Sequence, residues 1–181
     1  MKEIIIIGTL HGDFTPKAEL KEVLNSLNPD KVLVELSPEE LARPVVKSIR
    51  DDMFTAYDWA TENNKETAVF DVENETLKEG VTGKEPEFAE FGSAIEELLK
   101  KHSWKELNKK EPWKNSGVLD LENKLMEKYF NVEKIKERDF IMLQNIKDNL
   151  IEGKNVVLTG IGHLTFFKEQ MPEAKLLFRN D

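Results

Sequence analysis

Cysteine is absent from this chain of 181 residues. Disulfides and thiolate metal sites are therefore excluded, and any metal would have to be held by His, Asp, Glu and other oxygen donors. Long apolar runs are missing too, since no segment approaches the roughly 18 residues that a bilayer-spanning helix needs. Positive charge is in short supply: 26 Lys and Arg stand against 35 Asp and Glu, a formal charge of −9 with a pI near 5.0. Such a surface repels a phosphate backbone, so nucleic acid is not an expected partner. There is no internal repeat, low-complexity tract or interdomain linker. Met1-Lys2-Glu3 leads straight into an apolar stretch without the charged and apolar regions of a secretory signal, so the expectation is a cytoplasmic protein with no membrane partner. A chain of this length suits one domain, 1–181, with a proper core.

What is present begins with Ile4-Ile5-Ile6-Ile7, followed by Gly8-Thr9-Leu10-His11-Gly12-Asp13. Four β-branched residues in a row suit a strand covered on both faces. A second run of the same design, Val156-Val157-Leu158, precedes Thr159-Gly160-Ile161-Gly162-His163. Between them, Thr15-Pro16 predicts a helix start with Thr as cap, and Leu20, Val23, Leu24 and Leu27 carry its apolar stripe. Lys31 to Leu36 predicts the second strand. Ser37-Pro38-Glu39-Glu40 reads as a capping box, worth about 1 kcal/mol, opening a helix that ends near Arg43-Pro44. A further helix is expected from about Val45 to Asn63, and a third strand over Thr67 to Phe70. Residues 73–117 form a variable helical region with one helix over Pro86 to His102. Helices follow over Val118 to Phe130 and Val132 to Glu152, the latter closed by Gly153. A fourth strand over Asn155 to Thr159, a short helix over Leu164 to Gln170 and an edge strand over Lys175 to Phe178 complete the chain. The predicted class is α/β, a mostly parallel sheet flanked by helices, with the active-site rim at the carboxyl ends of the strands.

Each apolar strand delivers a polar residue to that rim: His11, Glu35, Asp71 and His163. An anion directly after a fully apolar strand needs a cation or a metal nearby. Two imidazoles and one or two carboxylates suit Mn, Fe, Co or Zn as a divalent metal. On the long helix Ile135, Met142, Ile146 and Leu150 form a stripe, which puts Arg138 or Asp139 on the buried side, where Arg138 could pair with Glu35 or clamp an oxyanion. Plainer roles compete for each residue. The histidines could be structural or capping residues, Glu35 a dipole partner of the capping box, Asp71 a turn residue, and Arg138 with Asp139 an ion pair. Gly160-Ile161-Gly162 lacks the third glycine and the lysine of a phosphate loop, and His102, at a Lys-rich helix end, reads as surface. Four such residues at four equivalent strand ends favour a site over four independent bland causes.

Gly8-Thr9-Leu10-His11, Val34-Glu35-Leu36, Arg138-Asp139 with Met142 one turn on, and Gly160-Ile161-Gly162-His163 resemble the TraB/PrgY/Tiki family. That family is grouped with the ChaN-like haem-binding lipoproteins and the erythromycin esterases. The resemblance covers the first ~40 and the last ~50 residues and touches the middle only at Asp71. It implies an α/β fold and a metal-dependent hydrolase, peptidase-like or esterase-like, acting on a peptide or small-molecule substrate. His11, His163 and Glu35 would be metal ligands, Glu35 or Asp71 would take the proton, and Arg138 would stabilise the oxyanion. A metal-free hydrolase in which histidine acts on water is a second expectation. A non-enzymatic haem-, metal- or peptide-binding module of the ChaN-like type is a third. Unlike the membrane-anchored Tiki proteins, this chain is expected to lack an anchor, and a homodimer stays open as its assembly.

Overall fold

The computed structural model describes residues 1–11, 14–43, 50–73, 76–114 and 116–179. Strands β1 (Lys2–Thr9), β2 (Lys31–Val34), β3 (Glu66–Val69), β4 (Gly153–Gly160) and β5 (Lys175–Leu176) form one sheet in the order β3-β2-β4-β1-β5, with every neighbouring pair parallel. This is the α/β class the sequence predicts. The helices are α1 (Lys17–Leu27), α2 (Pro38–Leu41), α3 (Asp51–Glu62), α4 (Pro86–Leu99), α5 (Lys110–Lys114), α6 (Val118–Tyr129), α7 (Val132–Asn149) and α8 (Leu164–Gln170).

The isoleucine run of β1 shows no period-two alternation because both of its faces are covered. Ile5 and Ile7 pack with Leu20 and Leu24 of α1 and Met53, Ala56 and Trp59 of α3. Ile4 and Ile6 pack on the other face with Met142, Leu143 and Ile146 of α7 and Leu164 and Phe167 of α8. β2 and β4 follow the same pattern and lie between the same two helical layers, Val32, Val34, Val156 and Leu158 on one face and Leu33 and Val157 on the other. Chain leaving β1 and β2 turns to the α1/α3 face, whereas β4, between them, feeds α8 on the opposite face. The loops therefore part above β4, and a crevice opens where ligands of such sheets bind.

Local detail departs from the sequence reading in three places. Thr15 does not cap α1; its hydroxyl donates to the carbonyl of Leu10 and accepts from the Leu10 amide, both at 3.0 Å, and so fastens the loop that carries His11. Gly153 opens β4 and does not close α7: the helix leaves at Leu150, and Gly153, at φ +107°, sits where a side chain would run into the carboxylate of Asp30. The last strand is only two residues long. Pro44 and Val45, where one helix was expected to end and the next to begin, fall outside the described residues, while the capping box of Ser37 and Glu40 forms in full.

The region after Asp71 is helical, and among its described residues an isolated antiparallel bridge, Leu77 to Phe130, is its sole strand pairing. It has a small core of Ile95, Leu98, Leu107 and Val118. Trp104 joins it to the main core, and Asn108 pins it to the sheet. β5 covers β1 only at Ile5 and Ile6, so the backbone of Gly8 faces an open edge, and the buried amide of Asn108 both accepts from Gly8 N–H (3.0 Å) and donates to its carbonyl (2.9 Å). A Cβ at Gly8 would lie 2.7 Å from that amide oxygen and 2.6 Å from Leu164, which is why glycine stands there.

Candidate active site

β1 and β4 are neighbours in register, Thr9 opposite Gly160, so the two Gly-x-x-His segments leave the sheet side by side. His11 lies two residues past β1, and His163 ends the 3-10 turn Ile161–His163 that joins β4 to α8. Glu35 follows β2 on the other side of β4, its amide donating to the Leu158 carbonyl. This sets its side chain level with the end of β4. There Thr159 Oγ1 (2.7 Å) and the Gly160 amide (2.6 Å) donate to Glu35 Oε2.

The other carboxylate oxygen, Oε1, faces four nitrogens: Arg50 Nη1 at 3.2 Å, Arg138 Nη2 at 3.5 Å, His163 Nε2 at 3.7 Å and His11 Nε2 at 3.8 Å. Burial alone would push the Glu35 carboxyl up. The charges of His163, His11 and Arg50, with the Thr159 hydrogen bond, outweigh it and hold Glu35 down at about 2. Each histidine is steadied from behind. The Nδ1 of His11 lies 3.2 Å from Asp52 Oδ2, and the Nδ1 of His163 lies 2.9 Å from Asp139 Oδ1. With its Nδ1 turned to Asp52, the His11 ring offers Nε2 to Arg50 Nη1 at 2.5 Å, whereas the His163 ring stands between two carboxylates, Asp139 at Nδ1 and Glu35 at Nε2. Burial opposes charge on His163, but the Glu35 and Asp139 carboxylates prevail and raise its pKa.

Asp71 is taken up by Arg138, which donates from Nε to Oδ1 (2.8 Å) and from Nη2 to Oδ2 (2.5 Å). Arg50 Nη2 lies 3.8 Å from the same Oδ2. The four rim residues of the sequence reading thus meet, and Arg138 and Asp139 both face them. Of the plainer roles, the carboxylate of Glu35 turns to β4 and not to the capping box, and Arg138 and Asp139 take separate partners, while Asp71 Oδ1 also accepts from the Val72 amide (2.7 Å), the contact of a turn residue. His102 lies just beyond α4 and outside this cluster.

Sequence reasoning missed Arg50, Asp52 and Thr159. Asp52 is fully buried at the start of α3, where it receives the Thr9 hydroxyl (2.5 Å) as well as the His11 ring. Its signal was the triplet Arg50-Asp51-Asp52 ahead of an apolar helix. Starting that helix at Val45 hid the triplet in mid-helix.

Counted together, Glu35, Asp52, Asp71 and Asp139 oppose the guanidiniums of Arg50 and Arg138, an excess of two negative charges when both imidazoles are neutral. Two imidazole nitrogens and a carboxylate oxygen, with both rings backed by carboxylates, suit a divalent ion in donor chemistry. Arg50 Nη1, however, lies 2.5 Å from His11 Nε2 as well as beside Glu35 Oε1, and so occupies the corner between two of those donors. A metal on His11 and the contact between Arg50 and His11 exclude each other.

Gly160 lets the backbone of β4 approach the His11 ring closely. A Cβ there would come within 3.1 Å of His11 Nε2 and 3.6 Å of Glu35 Oε2. Gly160→Ala is expected to displace the His11 ring and, if the site is catalytic, to cut its turnover about a hundredfold, since small misplacements near the chemistry cost that much. The variant should keep its far-ultraviolet circular dichroism, and a wild-type rate would show that the ring has room.

In comparisons with family models, curated proteins and solved structures, nothing matches the chain.

Proposed function

We propose that this protein hydrolyses an ester or amide at the rim formed by His11, Glu35 and His163. The carrying observation is the pair of imidazoles on adjacent strand ends, each oriented by its own carboxylate and both aimed at one buried carboxylate oxygen. His11, whose Nδ1–H is held by Asp52 and whose ring is partly exposed, takes the proton of the attacking water at Nε2 once Arg50 Nη1, 2.5 Å from that atom, has swung onto the substrate oxygen. His163, held between Glu35 and Asp139, carries the proton given to the leaving group. Glu35 keeps the two rings and the two guanidiniums together, and Asp71 fixes Arg138 by its paired contacts. Arg50 and Arg138 supply positive charge where the carbonyl oxygen becomes an oxyanion.

A second reading, hydrolysis with a divalent metal (Mn, Co, Zn or Fe), is favoured by the charge excess and by the carboxylates behind both imidazoles. His11, His163 and Glu35 would hold the ion once Arg50 moved away. The ion would lower the pKa of its water to roughly 7 and polarise the carbonyl.

The test is turnover of p-nitrophenyl esters and fluorogenic peptide amides, with and without a chelator, alongside metal analysis of the purified protein. Turnover that survives the chelator supports the first reading. Turnover that the chelator abolishes and Mn²⁺ or Co²⁺ restores supports the second. No turnover, with stoichiometric uptake of haem seen as a visible absorption band, would overturn both in favour of a binding module.

A further inference from the structure

We infer that the cavity beside the His11–His163 rim seats an apolar chain or ring bearing a negative charge, so that the compound cleaved is an ester or amide whose apolar part carries a separate free acid group. The inference rests on the hydrolase reading and names its substrate class. The cavity, about 570 Å³, is floored by Gly160, Ile161, Gly162 and both histidines. That volume lies in the range of sites for small organic ligands. Its wall is supplied by the helical region after β3: Phe91, Ile95, Leu107, Trp113 and Leu119. A wall of this composition favours apolar matter over a sugar or a free inorganic anion.

Charge then selects within that class. In a protein of net charge −9, this cavity is lined by Lys109, Lys110, Lys114 and Arg179. Among the described residues Glu122 is the single acid in the lining, and none of the three lysines forms a salt bridge. Burial pushes the Glu122 carboxyl up, which weakens the one opposing charge. Lys110 and Lys114 have no carboxylate partner among the described residues and Lys109 has only the exposed Glu106 nearby, and ammonium groups so placed beside apolar surface complement the acid end of an amphipathic molecule.

Calorimetric titration with decanoate tests this, with decyltrimethylammonium and acetate as the chain-matched and charge-matched comparisons. Decanoate is expected to bind one to one, at least about tenfold tighter than either, the size of one charge-assisted hydrogen bond. In the Lys109→Gln/Lys110→Gln/Lys114→Gln variant the preference for decanoate over the cationic chain should collapse towards unity. Equal binding of both chains by the wild type, or a preference unchanged in the triple variant, would overturn the inference even if neutral esters are hydrolysed. Selective decanoate binding by a wild type that turns over no ester or amide would overturn the hydrolase reading and leave the ligand class of the cavity standing.

Discussion

Glu35→Gln is expected to destabilise the fold by about 3 kcal/mol, because removing one partner of a buried ionic cluster strands the others. The substituted amide would keep a carbonyl for the Thr159 hydroxyl and the Gly160 amide but lose the charge that faces Arg50, Arg138 and both imidazoles. Urea denaturation at neutral pH reads the loss. Two titration signatures separate this from generic damage. The Glu35 charge is a principal cause of the raised His163 pKa, so in the variant the His163 ring should titrate at lower pH, as followed by NMR. The acid limb should change as well. Glu35 in the folded protein lies at about 2, below its ordinary 4.5, so its contribution is present above pH 4.5 and is lost as pH falls from there through 2. The variant should lack that part of the acid-induced loss. His163 works in the opposite direction: its folded pKa is raised from 6.5, so its contribution is present below 6.5 and lost as pH rises through the folded value. Unchanged stability in Glu35→Gln, with an unmoved His163 titration, would mean that the carboxylate does not organise the cluster.

His11→Ala should lower turnover about 10²–10⁴-fold, the usual worth of a general base, and should also cost some stability, because it leaves the fully buried Asp52 carboxylate with the Thr9 hydroxyl but without the ring. Asp52→Asn is the companion measurement. Its side chain is fully buried and touches the His11 ring only at Nδ1, so it acts through that ring as a positioning residue. An amide there can accept from Nδ1–H or donate to an unprotonated Nδ1, which frees the tautomer. The fall in kcat should therefore come with an altered pH profile, while KM stays near wild type. A wild-type pH–rate profile in Asp52→Asn would assign the aspartate to packing alone, and a wild-type rate in His11→Ala would remove this histidine from the chemistry.

The sequence by itself determined the layers and four of the rim positions. Strands such as Ile4–Ile7 and Val156–Leu158 are apolar on both faces, and only a sheet sandwiched by helices buries them, so a parallel α/β arrangement with polar residues at the strand ends follows from composition and order. The Ser37–Glu40 box was legible because both its partners are local. Tertiary structure alone decided the rest. That β4 lies between β1 and β2 is a matter of strand order, which no local pattern encodes, and it is this placement that brings Glu35 to the backbone of Gly160 and both imidazoles to Glu35. Arg50 and Asp52 sit at the start of a helix, where charges ordinarily serve solvent or the dipole. Only the packing of α3 against the sheet turns them onto His11 and Glu35. The role of Asn108 depends on an edge left open by a two-residue strand, a length set by where the last segment docks and not by its own residues.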